Sequence, residues 1–396
     1  MTPERFSVIR AIFEEVVEAS AEERERILRT RCAGDEEVRA LIQRLLDEDG
    51  RSTAPIDGQP LSPAIVSAIA AESPRTGTGS RIGEFRIIRP LGRGGMGEVF
   101  EAEQRNPRRS VAIKLLRADL FSPESHRRFE LEAHVLGRLR HPGIACIYEA
   151  GVCEQGDTPR PFFAMELIRG RPLDLHLAAM GNSVRPRLEL FAKVCEAMEH
   201  AHRAGVVHRD LKPSNVLVDE LGQPKIVDFG VARLIGEADS VRSMHTVAGQ
   251  LVGTLAYMSP EQMAGEAHRV DARSDVYALG VMLFELLSGR LPLDVTGRPL
   301  AEVARIIRED EPTGVGSVNS VFRGDLDTIT AKALEKDPAR RYAHAGELAA
   351  DIRRFLSDEP VVARPPTTIY QIRQFARRHR DLVIGVIAAF IVLIIG

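Results

Sequence analysis

The chain has 396 residues, and 44% of them are apolar, which is enough to fill a large core and excludes a wholly disordered protein. A formal net charge of -3, no Trp and only five Tyr argue against a nucleic-acid-binding protein, because such proteins present basic surfaces and aromatic platforms. The cysteines have neither C-x-x-C nor metal-ligand spacing, and the N-terminus does not resemble a signal peptide. We interpret the four cysteines as reduced thiols of a cytoplasmic domain, mostly in its core: Cys32, Cys146, Cys153 and Cys195.

Residues 1–49 are predicted to form a helical N-terminal extension. Apolar residues recur there at helical spacing, and Ser20 followed by Glu23 has the form of a capping box, so about three helices are expected. A unit this small is marginally stable alone, so its apolar stripe is expected to pack on the rest of the chain or on a second copy. A helical addition without a regulatory role is an equally good interpretation. Residues 50–83 are rich in Ser, Pro, Gly, Thr and Ala and are predicted to be a flexible linker.

Residues 84–357 are predicted to form one α+β domain with two parts. Short β-branched strands interrupted by one helix run from residue 84 to about 167, and a mainly helical region follows from 171. The sequence therefore predicts a small β-rich lobe followed by a larger helical lobe. One helix of the second lobe carries an apolar stripe that ends before Gly205, and we interpret His202 on it as a packed core histidine rather than a ligand. The stripe consists of Leu188, Phe191, Cys195, Met198 and His202.

Four motifs of chemical significance follow one another in this domain. They are Gly92-Arg93-Gly94-Gly95-Met96-Gly97-Glu98-Val99, Val111-Ala112-Ile113-Lys114, His208-Arg209-Asp210-Leu211-Lys212-Pro213-Ser214-Asn215 and Asp228-Phe229-Gly230. A glycine-rich loop alone is a weak signal, because G-x-G-x-x-G also opens dinucleotide-binding folds. A dinucleotide-binding protein would need an acidic residue about 20 residues further on, where this chain instead has Ile113 and Lys114, so that alternative is excluded.

In this order and at these spacings, the motifs resemble the signature set of protein kinases. The motif sequences Gly-Gly-Met-Gly-Glu-Val and Lys-Pro-Ser-Asn resemble those of bacterial, eukaryotic-like Ser/Thr protein kinases. The resemblance implies a bilobal protein kinase fold over residues 84–357 and transfer of the ATP γ-phosphoryl group to Ser or Thr of protein substrates in bacterial signalling. ATP and Mg²⁺ are the implied cofactors, with Mn²⁺ as an alternative metal. A non-catalytic scaffold is the competing hypothesis, but its usual sign is a lost catalytic Lys, Asp or Asn, and all three are present.

The resemblance also implies which residues bind ATP. The loop glycines let the backbone approach the phosphates, because a Cβ would hold the loop away. Residues 164–167 resemble the hinge between the lobes, where Met165 borders the adenine pocket and backbone groups of Glu166 and Leu167 hydrogen-bond the adenine edge. The expected ATP-binding residues are Leu91, Gly92, Arg93, Gly94, Gly95, Met96, Gly97, Val99, Ala112, Lys114, Met165, Glu166, Leu167 and Asn215.

Lys114 lies on an alternating strand and is expected to bind the α- and β-phosphates and to pair with a glutamate on a helix. The candidates are Glu130 and Glu132, which are two residues apart and therefore cannot share a helix face. The match of Glu132-Ala133 and of its distance from His141 to the family pattern favours Glu132.

The chemical step is expected to involve four side chains that the resemblance identifies. Asp210 would orient the substrate hydroxyl and accept its proton, and Lys212 would bind the transferring phosphoryl group. Asn215 and Asp228 would bind Mg²⁺ through oxygen atoms, which this hard ion prefers.

Arg209 precedes the expected catalytic aspartate and implies regulation, because it places a buried cation that a phosphorylated activation loop can neutralise. Thr254 matches the substrate-pocket threonine of the family. The expected phosphorylation sites are Ser240, Ser243 and Thr246, although each of these hydroxyls is also typical of a solvated loop.

Three further residues are expected to have structural roles. Asp275 resembles the buried helix aspartate that braces the catalytic loop, and Arg341 resembles the partner of Glu261. The Ala-Pro-Glu of the family reads Ser259-Pro260-Glu261 here, a small departure that affects no catalytic group.

Residues 358–381 are predicted to be a basic juxtamembrane segment, and residues 382–396 a transmembrane helix. The second segment has fifteen residues and no charge, and as a helix it would span about 22 Å, short of a hydrocarbon core of about 30 Å. A buried core helix is the alternative. We expect a membrane span, either cut by the end of the sequence or inserted as a short tail anchor, because no face of the segment is polar. The preceding arginines predict a single-pass inner-membrane protein whose kinase domain is cytoplasmic.

The expected partners are therefore ATP, protein substrates and the membrane, and nucleic acid is not among them. Clustering in the membrane, helped by the N-terminal helices, is expected to promote phosphorylation in trans within a homodimer. The hypothesis depends on the Arg209-Asp210 pair and on the hydroxyl-bearing loop that follows it.

Overall fold

The computed structural model describes residues 16, 26–28, 30–32, 78–94, 97–117, 129, 131, 133–155, 158–181, 183–229 and 255–364. The chain divides into two compact units, Met1–Ser73 and Pro74–Gly396. In the first unit, residues 26–28 are helical, and the Cys32 amide donates to Leu28 O over 3.1 Å. Val16, Leu28 and Cys32 are buried. The bounds of the predicted extension and linker remain predictions, because most of these residues lie outside the described ranges.

A six-stranded antiparallel sheet opens the described part of the second unit, in the order β1-β2-β3-β4-β6-β5. Its strands are β1 (Arg81–Ile82), β2 (Phe85–Gly94), β3 (Gly97–Gln104), β4 (Arg109–Leu116), β5 (Ile147–Gln155) and β6 (Thr158–Glu166). Side chains alternate across a strand, so β4 places Val111, Ile113 and Leu115 in one apolar cluster and Ala112 and Leu116 in another. Lys114 shares the parity of the second set, whose cluster also contains Phe163 of β6 and Phe129.

A three-stranded sheet and a set of helices form the rest of this unit. The strands are β7 (Gly170–Pro172), β8 (Val216–Asp219) and β9 (Pro224–Ile226), in that order. Beyond β7 the α-helices are α1 (Leu173–Ala179), α2 (Val184–Arg203), α3 (Pro260–Met263), α4 (Ala272–Ser288), α5 (Leu300–Glu309), α6 (Val315–Val318), α7 (Asp325–Ala333) and α8 (Ala345–Leu356). Residues 133–136, between β4 and β5, are also helical. The predicted β-rich lobe followed by a helical lobe is confirmed.

Helix α2 runs through the core of the helical lobe. Its predicted stripe is confirmed, since Leu188, Phe191, Cys195 and Met198 are all fully buried. Burial raises the pKa of the Cys195 thiol far above its ordinary value, so this cysteine is an inert core thiol. The helix ends at Arg203, and the chain then enters the loop that begins the His208 motif.

The helical lobe continues past α8. Asp351, which is fully buried, accepts hydrogen bonds from the amides of Val362 and Ala363, both over 2.8 Å. Val361 is 3% exposed and packs on the core. The first residues of the predicted juxtamembrane segment therefore belong to the folded domain.

No helix within the described ranges is long and apolar enough to cross a membrane. The predicted transmembrane segment, residues 382–396, lies outside those ranges.

Candidate active site

The glycine-rich motif forms the hairpin between β2 and β3. Gly92 pairs with Val99 and Gly94 with Gly97, while Gly95 and Met96 lie outside the described residues. A Cβ on Gly97 would lie 2.1 Å from the carbonyl oxygen of Leu115, so no larger residue fits there without moving the neighbouring strand. At Gly92 and Gly94 a Cβ would meet nothing within 4 Å, which leaves their backbone open to a ligand.

The residues around the hairpin include the expected adenine neighbours. Ala112 pairs with Met165 across β4 and β6 and lies with it in one apolar cluster, against which Val99 and Leu167 pack. Leu91 on β2 is 40% exposed. These side chains can provide the apolar surface that a planar base requires.

One backbone group of the hinge residue Glu166 is already occupied. Its amide donates to Cys146 O over 2.8 Å. Strand β5 begins directly after Cys146 and pairs with β6, which brings the two backbones together. The carbonyl is therefore the backbone group that Glu166 can offer to a nucleotide.

Lys114 is 6% exposed, and its Nζ lies 2.9 Å from Oδ2 of Asp228. A buried ammonium requires such a partner, because an unpaired charge in the interior is strongly disfavoured. The pair joins the β-rich lobe to the start of the Asp-Phe-Gly motif. Glu130 and Glu132 lie outside the described residues, so the expected Lys114–Glu132 pair remains a prediction.

Asp210, Lys212 and Asn215 converge at the start of the 3-10 turn Pro213–Asn215. Lys212 Nζ lies 2.9 Å from Oδ2 of Asp210, and Asn215 Nδ2 donates to the Asp210 carbonyl oxygen over 2.7 Å. The carboxylate is about one fifth exposed on its side chain, so a substrate hydroxyl can reach it. Because the Asn215 nitrogen is bound to Asp210, the amide oxygen is the atom left for a cation.

A buried carboxylate holds this loop in shape. Asp275 accepts hydrogen bonds from the amides of His208 and Arg209, over 2.7 and 2.9 Å. The loop needs such support because Arg209 adopts a left-handed backbone with φ of 67°. Burial alone would raise the pKa of Asp275, but a hydrogen bond from His202 and the nearby histidines hold that pKa below its ordinary value.

The His202 contact was missed by the sequence interpretation. Its Nε2 lies 2.9 Å from Oδ2 of Asp275 and its side chain is 4% exposed, so the histidine packs in the core, as expected, and also supports the loop that begins at His208. A polar residue on an apolar stripe requires a buried partner, and this was the available signal.

Asp228 is held next to the same loop. The Val227 amide donates to Asn215 O over 2.9 Å, which ties the two expected metal-binding residues together through their backbones. The rings of His208 and Phe229 pack with centroids 4.8 Å apart. An apolar cavity beside Asp228 is lined by Leu136, Leu139, Ile147, Phe163, Met165 and Phe229.

The donor set fits a divalent cation that is shared with phosphate groups. Asn215 and Asp228 offer oxygen atoms, which Mg²⁺ prefers. Among the described residues, no group of three or more His, Cys, Asp and Glu side chains could hold a metal ion unaided. Phosphate oxygens and water would complete the shell.

Glu261 and Arg341 form the expected pair below the catalytic loop. Both nitrogens of the guanidinium fork donate to the carboxylate over 2.8 Å, and both side chains are almost fully buried. Burial raises the pKa of Glu261, but the hydrogen bonds and charge of Arg341 outweigh it and lower the pKa. Ser274 Oγ adds a hydrogen bond of 2.7 Å to the same carboxylate.

The departure at Ser259 has a structural explanation. Ser259 caps helix α3 in a reciprocal capping box with Gln262, whose Nε2 also donates to Arg209 O over 2.7 Å. Gln262 thereby ties α3 to the catalytic loop, a role the sequence interpretation missed. The S-x-x-Q spacing was a readable signal for the cap, although not for the contact with Arg209.

Residues 230–254 of the activation loop lie outside the described residues, and with them Ser240, Ser243, Thr246 and Thr254. Their roles as phosphorylation sites and as the substrate-pocket threonine stay predictions.

Fixed charges and open backbone groups lie on both lobes of this site. Such an arrangement is typical of enzymes that transfer phosphoryl groups from nucleotides. Comparisons with known proteins identify the family within this class of enzymes. The family described as "Protein kinase domain" matches residues 85–351. The chain therefore belongs to the protein kinase family.

Relatives within the family are bacterial Ser/Thr kinases. Over 273 residues the chain is 40% identical to the serine/threonine-protein kinase PknB of Mycobacterium tuberculosis, covering 68% of this chain and 42% of PknB. It is 40% identical over 284 residues to a probable serine/threonine-protein kinase of Streptomyces coelicolor, covering 71% of this chain and 41% of the relative. The match thus spans about two fifths of these relatives' length. The expected resemblance to bacterial Ser/Thr kinases is confirmed, and the domain is PknB-like.

A solved structure is similar in fold. The crystal structure of the Mycobacterium tuberculosis PknI kinase domain superposes with a TM-score of 0.54 at 25% identity, covering 71% of this chain and 99% of the PknI chain. The likeness confirms the two-lobed protein kinase architecture.

Proposed function

We propose that the protein transfers the γ-phosphoryl group of ATP to Ser or Thr side chains of protein substrates. The observation that carries the proposal is the convergence of Asp210, Lys212 and Asn215 next to the Lys114–Asp228 pair. None of the polar groups that phosphoryl transfer requires is missing from the sequence, which argues against a scaffold without activity.

The roles follow from charge and reach. Asp210 accepts the proton of the substrate hydroxyl. Lys212, 2.9 Å from that carboxylate, offsets negative charge on the transferring phosphoryl group. Lys114 binds phosphate oxygens from the opposite lobe. Bound between Asn215 and Asp228, Mg²⁺ would neutralise phosphate charge, and Mn²⁺ has similar ligand preferences.

A direct test uses the full chain, labelled ATP and a generic basic protein as acceptor. We expect label on Ser or Thr of the acceptor and of the chain itself, and its loss when EDTA removes the divalent metal. Label on neither protein, despite binding of ATP with Mg²⁺, would favour the scaffold.

We further propose activation by phosphorylation of the loop in trans. The support is Arg209, whose backbone is fixed by Asp275 and Gln262 beside the catalytic aspartate. Autophosphorylation should then accelerate as the protein concentration rises. A rate per molecule that stays constant on dilution would contradict the trans reaction.

We also propose attachment to the inner membrane through residues 382–396, with the kinase domain in the cytoplasm. The support is the uncharged run that follows an arginine-rich segment. The 396-residue chain should co-sediment with vesicles after a high-salt wash, whereas a chain ending at residue 381 should not. Equal retention of both chains would refute the anchor.

A further inference from the structure

The side chain of the hinge residue Glu166 is fixed at both of its oxygens. Oε1 lies 2.6 Å from Lys225 Nζ, and Oε2 accepts a hydrogen bond of 3.2 Å from the Cys146 amide. The Glu166 amide donates to Cys146 O over 2.8 Å. The residue is therefore held by its backbone and by both ends of its carboxylate.

These contacts lie where the two sheets meet. Glu166 is the last residue of β6 in the large sheet, and Lys225 is the middle residue of β9 in the small sheet. The segment before β5 is bound to β9 as well, since the Ala145 amide donates to Ile226 O and the Ile226 amide to Gly143 O, both over 2.9 Å. The ion pair thus closes a small network of three segments that backbone hydrogen bonds already hold together.

Strand β9 leads from this network directly to the expected metal site. Asp228 follows Lys225 by three residues, and its carboxylate meets Lys114 at 2.9 Å. One end of the network therefore carries the backbone expected to bind adenine, and the other end carries the carboxylate expected to bind the metal.

The choice of lysine at 225 has a chemical reason. Only six of the 53 basic residues in the chain are lysines, so arginine is the usual cation of this protein. A guanidinium fork prefers to bind both oxygens of a carboxylate, whereas an ammonium acts as a point charge. With lysine on Oε1, Oε2 stays available to the Cys146 amide.

We propose that the Lys225–Glu166 ion pair positions the hinge for nucleotide binding, by fixing the Glu166–Leu167 peptide relative to the strand that carries Asp228. The inference deepens the proposed function and rests on it. Neither side chain touches the reacting atoms, so both are positioning residues. The side chains of Lys225 and Glu166 are 16% and 26% exposed, so the pair is largely buried and removal of one partner leaves the charge of the other uncompensated.

The test is a double-mutant cycle in the full chain, with Lys225→Met, Glu166→Gln and the double variant. Glutamine keeps an oxygen for the Cys146 amide and removes only the charge. We expect each single change to weaken ADP binding and raise the KM for ATP about five- to tenfold, with kcat within about twofold. The double variant should bind ADP no more weakly than the weaker-binding single variant, because all three variants lose the same ion pair.

Lys193→Met is the matched control, since Lys193 is an exposed lysine of helix α2 far in sequence from the hinge. Thermal unfolding is measured for every variant, so that ADP binding is compared at a temperature at which each variant is folded. Unchanged ADP affinity in Lys225→Met, or effects that add in the double variant, would overturn the proposal. A lower kcat at constant KM would also overturn it.

Because ADP binding needs no phosphoryl transfer, ADP affinity tests the role of the ion pair independently of the proposed kinase activity. If the parent chain binds ADP but transfers no phosphate, the kinase proposal fails while the cycle in ADP affinity still decides the role of the pair. If the parent chain binds no ADP, the positioning role is refuted too.

Discussion

Two buried carboxylates, Asp275 and Glu261, stabilise the catalytic region through unlike partners. Asp275 accepts mainly backbone amides and a histidine, and so determines the shape of the loop that carries Asp210. Glu261 is bound by the guanidinium of Arg341 and by Ser274. A charge on either residue is tolerated in the interior because every donor around it is fixed by the fold.

Replacement of Glu261 by Gln should lower the free energy of unfolding by about 3 kcal/mol, since it leaves the buried Arg341 guanidinium without a compensating charge. Urea denaturation of both proteins at pH 7 gives this difference. Glu309→Gln is a matched control, because Glu309 is exposed on α5. A loss no larger than that of the control would contradict the structural role.

The contribution of Glu261 to the free energy of unfolding should also depend on pH. Its pKa in the folded protein is below the ordinary value of 4.5, so the folded state binds a proton less readily than the unfolded state. Its contribution is therefore complete above about pH 4.5 and is lost as the pH falls through the folded-state pKa. The stability difference between the parent chain and Glu261→Gln should shrink over that interval.

In the β2–β3 hairpin, glycine is required for different reasons at different positions. At Gly97 the close approach of Leu115 O requires the absence of a side chain, whereas at Gly92 the open backbone suits a ligand. The same residue type thus serves packing at one end of the motif and leaves the backbone accessible at the other.

Gly97→Ala should destabilise the domain by about 1 to 3 kcal/mol, since β3 must move away from β4. Gly92→Ala should leave the melting temperature unchanged and raise the KM for ATP. Thermal unfolding and steady-state kinetics on the two variants separate these effects. Equal melting temperatures for both variants would contradict the packing at Gly97.

One carboxylate binds both backbone amides at Val362 and Ala363 in the chain beyond α8. Asp351 also accepts from the Tyr342 hydroxyl over 2.9 Å, in addition to the amides of Val362 and Ala363. Asp351→Asn should release this segment, because the uncharged amide is a weaker acceptor and offers only one oxygen.

Hydrogen exchange at Val362 and Ala363 measures that release, and we expect it to accelerate at least about tenfold in Asp351→Asn. Arg354→Gln is the control, since Arg354 binds only the Oδ1 side of Asp351 and is more than one third exposed. Unchanged exchange at the two amides would show that other contacts hold the segment.

For the molecule as a whole, local sequence patterns predicted the lobes and the core helix α2, because these depend on spacing within a short stretch of chain. The resemblance to protein kinases, and not local spacing, predicted which motif residues converge between the lobes. The contacts of Lys225 with Glu166 and of Gln262 with Arg209 depend instead on segments brought together only by folding, and no local pattern reports them.

The proposed role of Asp210 as proton acceptor is tested by comparing phosphoryl transfer to a generic basic protein by the parent chain, Asp210→Asn and Asp310→Asn. Asp310 is the control because it lies in a surface pair with Arg305. We expect kcat to fall at least about 100-fold in Asp210→Asn alone, with ADP affinity and melting temperature retained. Transfer by Asp210→Asn at the parental rate would show that this carboxylate is not needed for the chemical step.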